Sequence, residues 1–444
     1  MRRLLTLLGL AALAYVASKA YLPGFSNITG HATWSLGFLL LAAFTVGELL
    51  SLIRLPRITG YLLTGLAFGP YLLGFVNQAS VQSLSVIDSL ALTFIALSAG
   101  GELPWKDIRD NKKTIGWAIV GLMSVVFLGS TLLFLSFSKV FAFTRDLDLR
   151  SLIVMAAVLG AIATARSPAS AIAIIKETRA HGIFTEIVLG VTVAMDILAI
   201  VLFALVVSVG QAVLTNTGLD PGFIIGLSLE IFSSLALGTA LGFLLAAWLK
   251  RVDGYHLITI FVFAVLVTEA SHFLSDQLES WYQVKFHLEP MLICIATGFV
   301  VRNFSSQGAR FMRVIEDGGL MVYTLFFALA GAALDLDILR STWALALVLV
   351  LIRGVAIQVG AWTGMRLAKA PDKYRKIFGM TFITQAGVSL GLAKAVEIRF
   401  PDWGPAVATL AVATISINQI IGPVLFKHAL WLAGETGDSR KAKD

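Results

Sequence analysis

The chain repeats one pattern from end to end: an apolar run of about 20 residues, then a short polar connection. A run of that length crosses a ~30 Å hydrocarbon core as a helix, which satisfies its own backbone polar groups as it goes. Such runs are read at 4–20, 33–54, 58–78, 84–100, 114–138, 151–175, 184–208, 222–249, 257–275, 286–301, 318–338, 342–365, 377–397 and 404–433. With 57% of residues hydrophobic and 14% charged, a water-soluble multidomain arrangement would leave far too much apolar surface exposed. The chain is therefore expected to be an all-α polytopic membrane protein.

The charges support this reading and supply a direction. Placing the N-terminus inside puts 24 of the Lys and Arg residues in inner connections and 7 in outer ones, the bias expected of inner loops. The net charge of +7 then reports topology and gives no reason to expect a nucleic-acid partner. The C-terminus is expected in the cytoplasm, and the protein in the plasma (inner) membrane. A lone Cys294 excludes internal disulfides and thiolate metal clusters. No GxxxxGK[ST] loop is present, so an ATP-driven pump is not expected. Residues 1–20, with Arg2, Arg3, an apolar run and small residues before Tyr21, fit either a signal peptide or an extra transmembrane helix.

Without that segment thirteen runs remain, dividing as six, one and six. The first six start outside and the last six start inside, with 222–249 as a linker helix between them. Two inverted repeats of this kind are a plan of many secondary transporters, which bind at the midplane in helices interrupted at matching positions. The fifth helix of the first half holds "ATARSPAS", and its counterpart holds "TQAGVSLG". Pro168 has no N–H, so the carbonyl of Thr164 loses its helical donor. Thr164, Ser167 and Ser170 can satisfy a loosened backbone there. Gln385 and Gly387 mark the matching break. A simple proline kink at the first break is the plainer alternative.

Asp196 lies in "VTVAMDILAIVLF". Arg166 is 16 residues before Gly182 and Asp196 is 14 after it. On two antiparallel helices that puts both roughly 21–24 Å from the turn, near mid-bilayer. An ionisable group there costs at least ~2.5–3.5 kcal/mol and is by default a functional candidate. A carboxylate held out of water can carry a proton or a cation, but not both, and that competition couples two fluxes. An Asp196–Arg166 pair that only fixes packing is the bland reading. Arg353, mid-span in "VLVLIRGVAIQVG", could compete for the carboxylate or clamp half-helix carbonyls. Glu48, Asp88, Glu230, Glu269 and His272 are read as helix-contact or cavity residues, and "EASHFLS" lacks the matched nucleophile of an intramembrane protease.

At these positions the sequence resembles the monovalent cation:proton antiporter superfamily, in its second branch of sodium/proton exchangers and potassium-efflux transporters. "RLPRITGYLLTGLAFGPYLLG" is similar to the family's Pro-x-x-x-Gly-Tyr-Leu-Leu-x-Gly-x-x-x-Gly-Pro signature. "FIALSAGGEL", "LGAIATARSPAS", "LGVTVAMDILAIVLF", "LFFALAGAALDLDIL" and "TFITQAGVSLGLA" resemble further segments in the family's order. The resemblance implies a homodimer with scaffold helices 33–100 and 257–338, and core helices 114–208 and 342–433. It implies elevator-like movement of the core, Asp196 as the ion- and proton-binding carboxylate, and Arg353 as a basic residue facing it. It implies no resident cofactor, only a transported monovalent cation and proton.

Two departures from the family pattern stand out. Met195 occupies a position where many members carry Asp or Asn, which favours electroneutral exchange. Arg166-Ser167-Pro168 stands where Thr-Asp-Pro or Thr-Ser-Pro is usual, which puts cation coordination by Thr164 and Ser167 in question. An anion or organic-acid transporter using Arg166, or an uncoupled channel or sensor, is the alternative. Residues 434–444 read as a cytoplasmic tail, too short for a nucleotide-binding regulatory domain.

Overall fold

The computed structural model describes residues 28–53, 55–137, 144, 147–215, 221–252, 256–282, 288–334, 336–385 and 388–437. The segment 4–20 and Gly387 lie outside them. The helices are α1 (Ile28–Leu52), α2 (Arg57–Phe68), α3 (Gln78–Ser83), α4 (Ser85–Gly101), α5 (Trp105–Phe137) and α6 (Leu149–Thr164). They continue with α7 (Pro168–Thr178), α8 (Ile183–Thr215), α9 (Pro221–Arg251), α10 (His256–Tyr282), α11 (Pro290–Phe304) and α12 (Gly308–Ala332). The last are α13 (Leu336–Leu367), α14 (Asp372–Ile377) leading into a 3-10 turn (Phe378–Phe382), α15 (Val388–Arg399) and α16 (Gly404–Ala433).

Among the described residues no strand occurs. Among the described residues eight segments, with α6 and α7 taken as one, are long and apolar enough to cross a membrane. Three shorter apolar helices, at Leu90–Gly101, His256–Ser271 and Pro290–Phe304, accompany them. The expected run 58–78 stops early: α2 ends at Phe68, capped by an extended Gly69. Pro70 follows, and the residue before a proline is steered away from helical backbone.

The chain divides into two compact units, one made of the residues up to Glu102 with Ser234–Asp337, the other of Leu103–Ser233 with the residues from Ile338 on. The first is built on backbone-to-backbone helix crossings. A β-carbon on Gly65 of α2 would strike the Ala328 carbonyl of α12, and one on Gly331 of α12 would strike the Leu62 carbonyl of α2. Gly100 and Gly298 make the same arrangement between α4 and α11, against the carbonyls of Ile295 and Leu97. In a lipid environment close approach of this kind replaces the hydrophobic effect as the force between helices.

The second unit holds the interrupted helices. Its apolar core includes Phe134, Met155, Leu159, Val207, Phe400 and Trp403, the last two stacked with ring centroids 4.4 Å apart. Gly121 of α5 and Gly360 of α13 each admit the other helix's backbone. Leu128 and Leu132 on α5 are more than half exposed, as suits a face turned to lipid.

Candidate functional site

The break in "ATARSPAS" follows from its own residues. α6 ends at Thr164, whose hydroxyl donates to the Ala161 carbonyl at 2.7 Å. Ala165 is extended (φ −66°, ψ 146°) and Ser167 is extended (φ −118°, ψ 94°), as a residue preceding proline prefers. Pro168 then opens α7 at a position whose N–H no helix uses. Ser167 caps that helix: its hydroxyl oxygen accepts from the Ser170 N–H at 3.2 Å, and the two hydroxyls lie 2.8 Å apart. All of these residues are buried. The interruption is thus two helices joined by a short extended link, with the start of α7 capped locally by Ser167.

The second interruption is in the same unit. α14 runs into the 3-10 turn, residues 383–385 are not helical, and α15 begins at Val388. Gly422 of α16 allows the backbone of Thr384 to approach. Gln385 ties the two interruptions together. Its amide nitrogen donates to the Ile162 carbonyl of α6 at 3.1 Å, and its amide oxygen accepts from Asn418 of α16 at 2.8 Å.

Arg353 sits between the two breaks. Its Nε donates to the Ala163 carbonyl at 2.9 Å and its Nη1 to Ile383 at 2.7 Å. Its Nη2 donates to Ala165 at 3.2 Å and to Phe382 at 3.3 Å. Two of these acceptors close α6 and two close the 3-10 turn, where unpaired carbonyls carry partial negative charge. A planar guanidinium with five donors suits four converging oxygens in a way an ammonium does not. Of the two roles open from sequence, the geometry is that of a clamp on carbonyls.

Arg166 is 1% exposed. Its Nη1 donates to the same Ala163 carbonyl at 3.4 Å, while Nε and Nη2 have no hydrogen-bond partner among the described residues. Its guanidinium carbon lies 5.8 Å from the centroid of the Phe382 ring, within cation–π range. Two guanidinium groups therefore converge on one oxygen.

Asp196 is 3% exposed on α8. That helix packs against α6, α7, the 3-10 turn, α15 and α16. The carboxylate helix and both interruptions thus lie together in one unit. A narrow cleft opens beside the breaks, lined in part by Ser130, Ile162, Ala163, Arg353, Gln385 and Thr414. Asp196 is not part of that lining.

Sequence reasoning missed Asn418 and Gln419. Both are buried, and Asn418 is the group that orients Gln385. Two adjacent amides in "ATISINQIIGPVL" are expensive in a spanning segment and were the available signal. No group of His, Cys, Asp and Glu suited to a resident metal occurs among the described residues.

The chain was compared with known proteins. The family profile described as sodium/hydrogen exchanger, transmembrane, matches residues 38–431. The Na(+)/H(+) antiporter NhaH of Halobacillus aidingensis is 25% identical over 417 residues, covering 88% of this chain and 95% of that protein. Two solved structures of the sodium proton antiporter MjNhaP1 from Methanocaldococcus jannaschii share the fold. The one at pH 8 gives a TM-score of 0.64 over 92% of this chain and 97% of the other. The electron-microscopy map gives 0.71 over 91% and 98%, and both are 20% identical to this chain.

Proposed function

The chain belongs to the sodium/hydrogen exchanger family, and we propose that Asp196 alternately holds a proton and a monovalent cation, sodium or potassium, during exchange. A member of this family is an integral membrane secondary transporter and not an enzyme. The observation that carries the site reading is the placement of a buried carboxylate on a helix packed against both interruptions. Arg353 supports it: four carbonyls hold its guanidinium, which offsets the charge of both half-helix ends and keeps the breaks open without recruiting a carboxylate.

Further parts of the reading rest on the family's pattern. The two six-helix halves are taken as inverted repeats. The unit with the breaks is taken as the moving core of an elevator in a homodimer, with the C-terminus cytoplasmic. Thr164 and Ser167 remain candidate ligands, although both hydroxyls already bond within the break.

The test is sodium- or potassium-driven dissipation of a pH gradient in proteoliposomes. The wild type should show it and Asp196→Asn should lose it. A wild type inert to sodium, potassium and lithium refutes the proposal. The unpartnered Nε and Nη2 of Arg166 favour one second reading, an anion or organic-acid transporter on the same scaffold. In that case Arg166→Ala abolishes substrate binding, where in the first it shifts the pH dependence alone.

A further inference from the structure

Residues 434–437 fold back onto the unit that holds the breaks. Gly434 closes the helix in the left-handed conformation (φ 82°). The chain then turns back, and Glu435 and Thr436 are 8% and 5% exposed. The Glu435 carboxylate accepts three hydrogen bonds from the first turn of α8: Phe184 N–H at 2.9 Å, Thr185 N–H at 2.8 Å and the Thr185 hydroxyl at 2.7 Å. Its own carbonyl accepts from the His181 N–H at 3.2 Å. A helix N-terminus exposes N–H groups and a partial positive charge, so a carboxylate is the fitting cap. Here it comes from 250 residues further along the chain.

Neighbouring features make room for this contact and extend it. Gly182 has φ 144°, and a β-carbon there would overlap the Glu435 carboxylate. Phe184 packs against Tyr374 of α14 and Phe378 of the 3-10 turn, with centroids 5.0 and 5.8 Å away. Lys373 donates to the Ala433 carbonyl at 3.0 Å. Burial, and then the Glu435 carboxylate, push the Tyr374 phenol above its ordinary value. The capped end of the Asp196 helix is therefore joined both to the tail and to the segment that leads into the second break. The family profile ends at residue 431, so the capping residue lies beyond the part of the chain it matches.

We propose that Glu435 is a positioning residue for exchange: by capping α8 and tying it to α14, it sets where Asp196 stands against the two breaks. Asp196 is 13 residues from Ile183, roughly 20 Å along the helix. Tilting the rod at its capped end therefore moves the carboxylate. The proposal rests on Asp196 as the exchanging group.

The experiment uses the full chain. Hydrogen–deuterium exchange reads the amides of Phe184 and Thr185, and proteoliposome kinetics read the apparent KM for sodium. Glu435→Ala is expected to raise exchange at those amides about tenfold, the usual effect of losing a helix cap. It should also raise the apparent KM several-fold, with maximal rate per folded molecule kept within about twofold. Glu435→Gln, which keeps one acceptor oxygen, should fall between. Gly182→Ala, which displaces the carboxylate without removing it, should match Glu435→Ala. Faster amide exchange with an unchanged KM makes Glu435 a cap and nothing more, and overturns the proposal. Unchanged amide exchange overturns it as well. Survival of transport in Asp196→Asn would instead refute the functional reading and leave the amide result standing.

Discussion

Replacing Arg353 tests the geometry at the crossing. Its guanidinium makes four hydrogen bonds to carbonyls, two at 2.7 and 2.9 Å and two at 3.2 and 3.3 Å. In Arg353→Lys the ammonium offers three donors from one point to four spread acceptors, and the two long bonds are the ones expected to be lost. Losing two bonds from a charged donor, each worth about 1.5–3 kcal/mol, costs about 3–6 kcal/mol at most, less whatever relaxation recovers. At about 2–4 °C per kcal/mol for a unit of this size, melting should fall by about 6–24 °C at most. Arg353→Met goes further and leaves three carbonyls unserved and Ala163 with only the long Arg166 bond, at about 1–3 kcal/mol for each unserved group, a loss that approaches a domain's whole stability. That variant should fail to accumulate as folded protein. The assay is thermal unfolding of purified protein in detergent, followed by tryptophan fluorescence. If Arg353→Met melts within about 2 °C of the parent, the carbonyl clamp contributes nothing and Arg353 must be explained by transport alone.

Two further outcomes follow from features outside the crossing. Gly100→Ala should lower thermal stability by at least ~1–3 kcal/mol, since its β-carbon would overlap the Ile295 carbonyl and backbone cannot yield as a side chain does; a melt unchanged from wild type refutes it. Asp148 caps α6 by accepting from the N–H groups of Ser151 and Arg150. The Ser151 hydroxyl first, then those N–H groups, hold its carboxyl below the usual value. The cap is then complete above the ordinary carboxylate range and is lost as pH falls through the lowered value. Protection of the Ser151 amide, its exchange measured relative to the unfolded chain at the same pH, should fall on acidification, and Asp148→Asn should remove that fall.

Much of this molecule was legible because lipid leaves few choices. A proline flanked by serines in an apolar run cannot be hidden, and Pro168 did mark the interruption. Gln385 was legible for the same reason, being an amide where nothing polar is needed for a span. Arg353 was visible as a charge, but its two roles differ by the direction of a side chain, which spacing does not encode. Asn418 was missed because amides in a long apolar run can serve ordinary helix contact, and its partner Gln385 lies on another segment. Glu435 was read as part of a cytoplasmic tail; its environment depends on Gly182 and Thr185, which only the folded chain brings near. The early end of α2 was signalled by Gly69-Pro70 and overridden by the length of the apolar run.

The Ala163 carbonyl serves both Arg353 and Arg166, at 2.9 and 3.4 Å. This has a consequence for ancestry. A descendant can give up Arg166 first, since Arg353 keeps all four acceptors and loses a like-charged neighbour. The reverse order leaves the four acceptors of Arg353 with a single long bond, from Arg166 to Ala163. Inheritance at these positions therefore runs through one gate: position 166 is free to change while 353 stays, and position 353 becomes changeable only after some other donor has taken over its carbonyls.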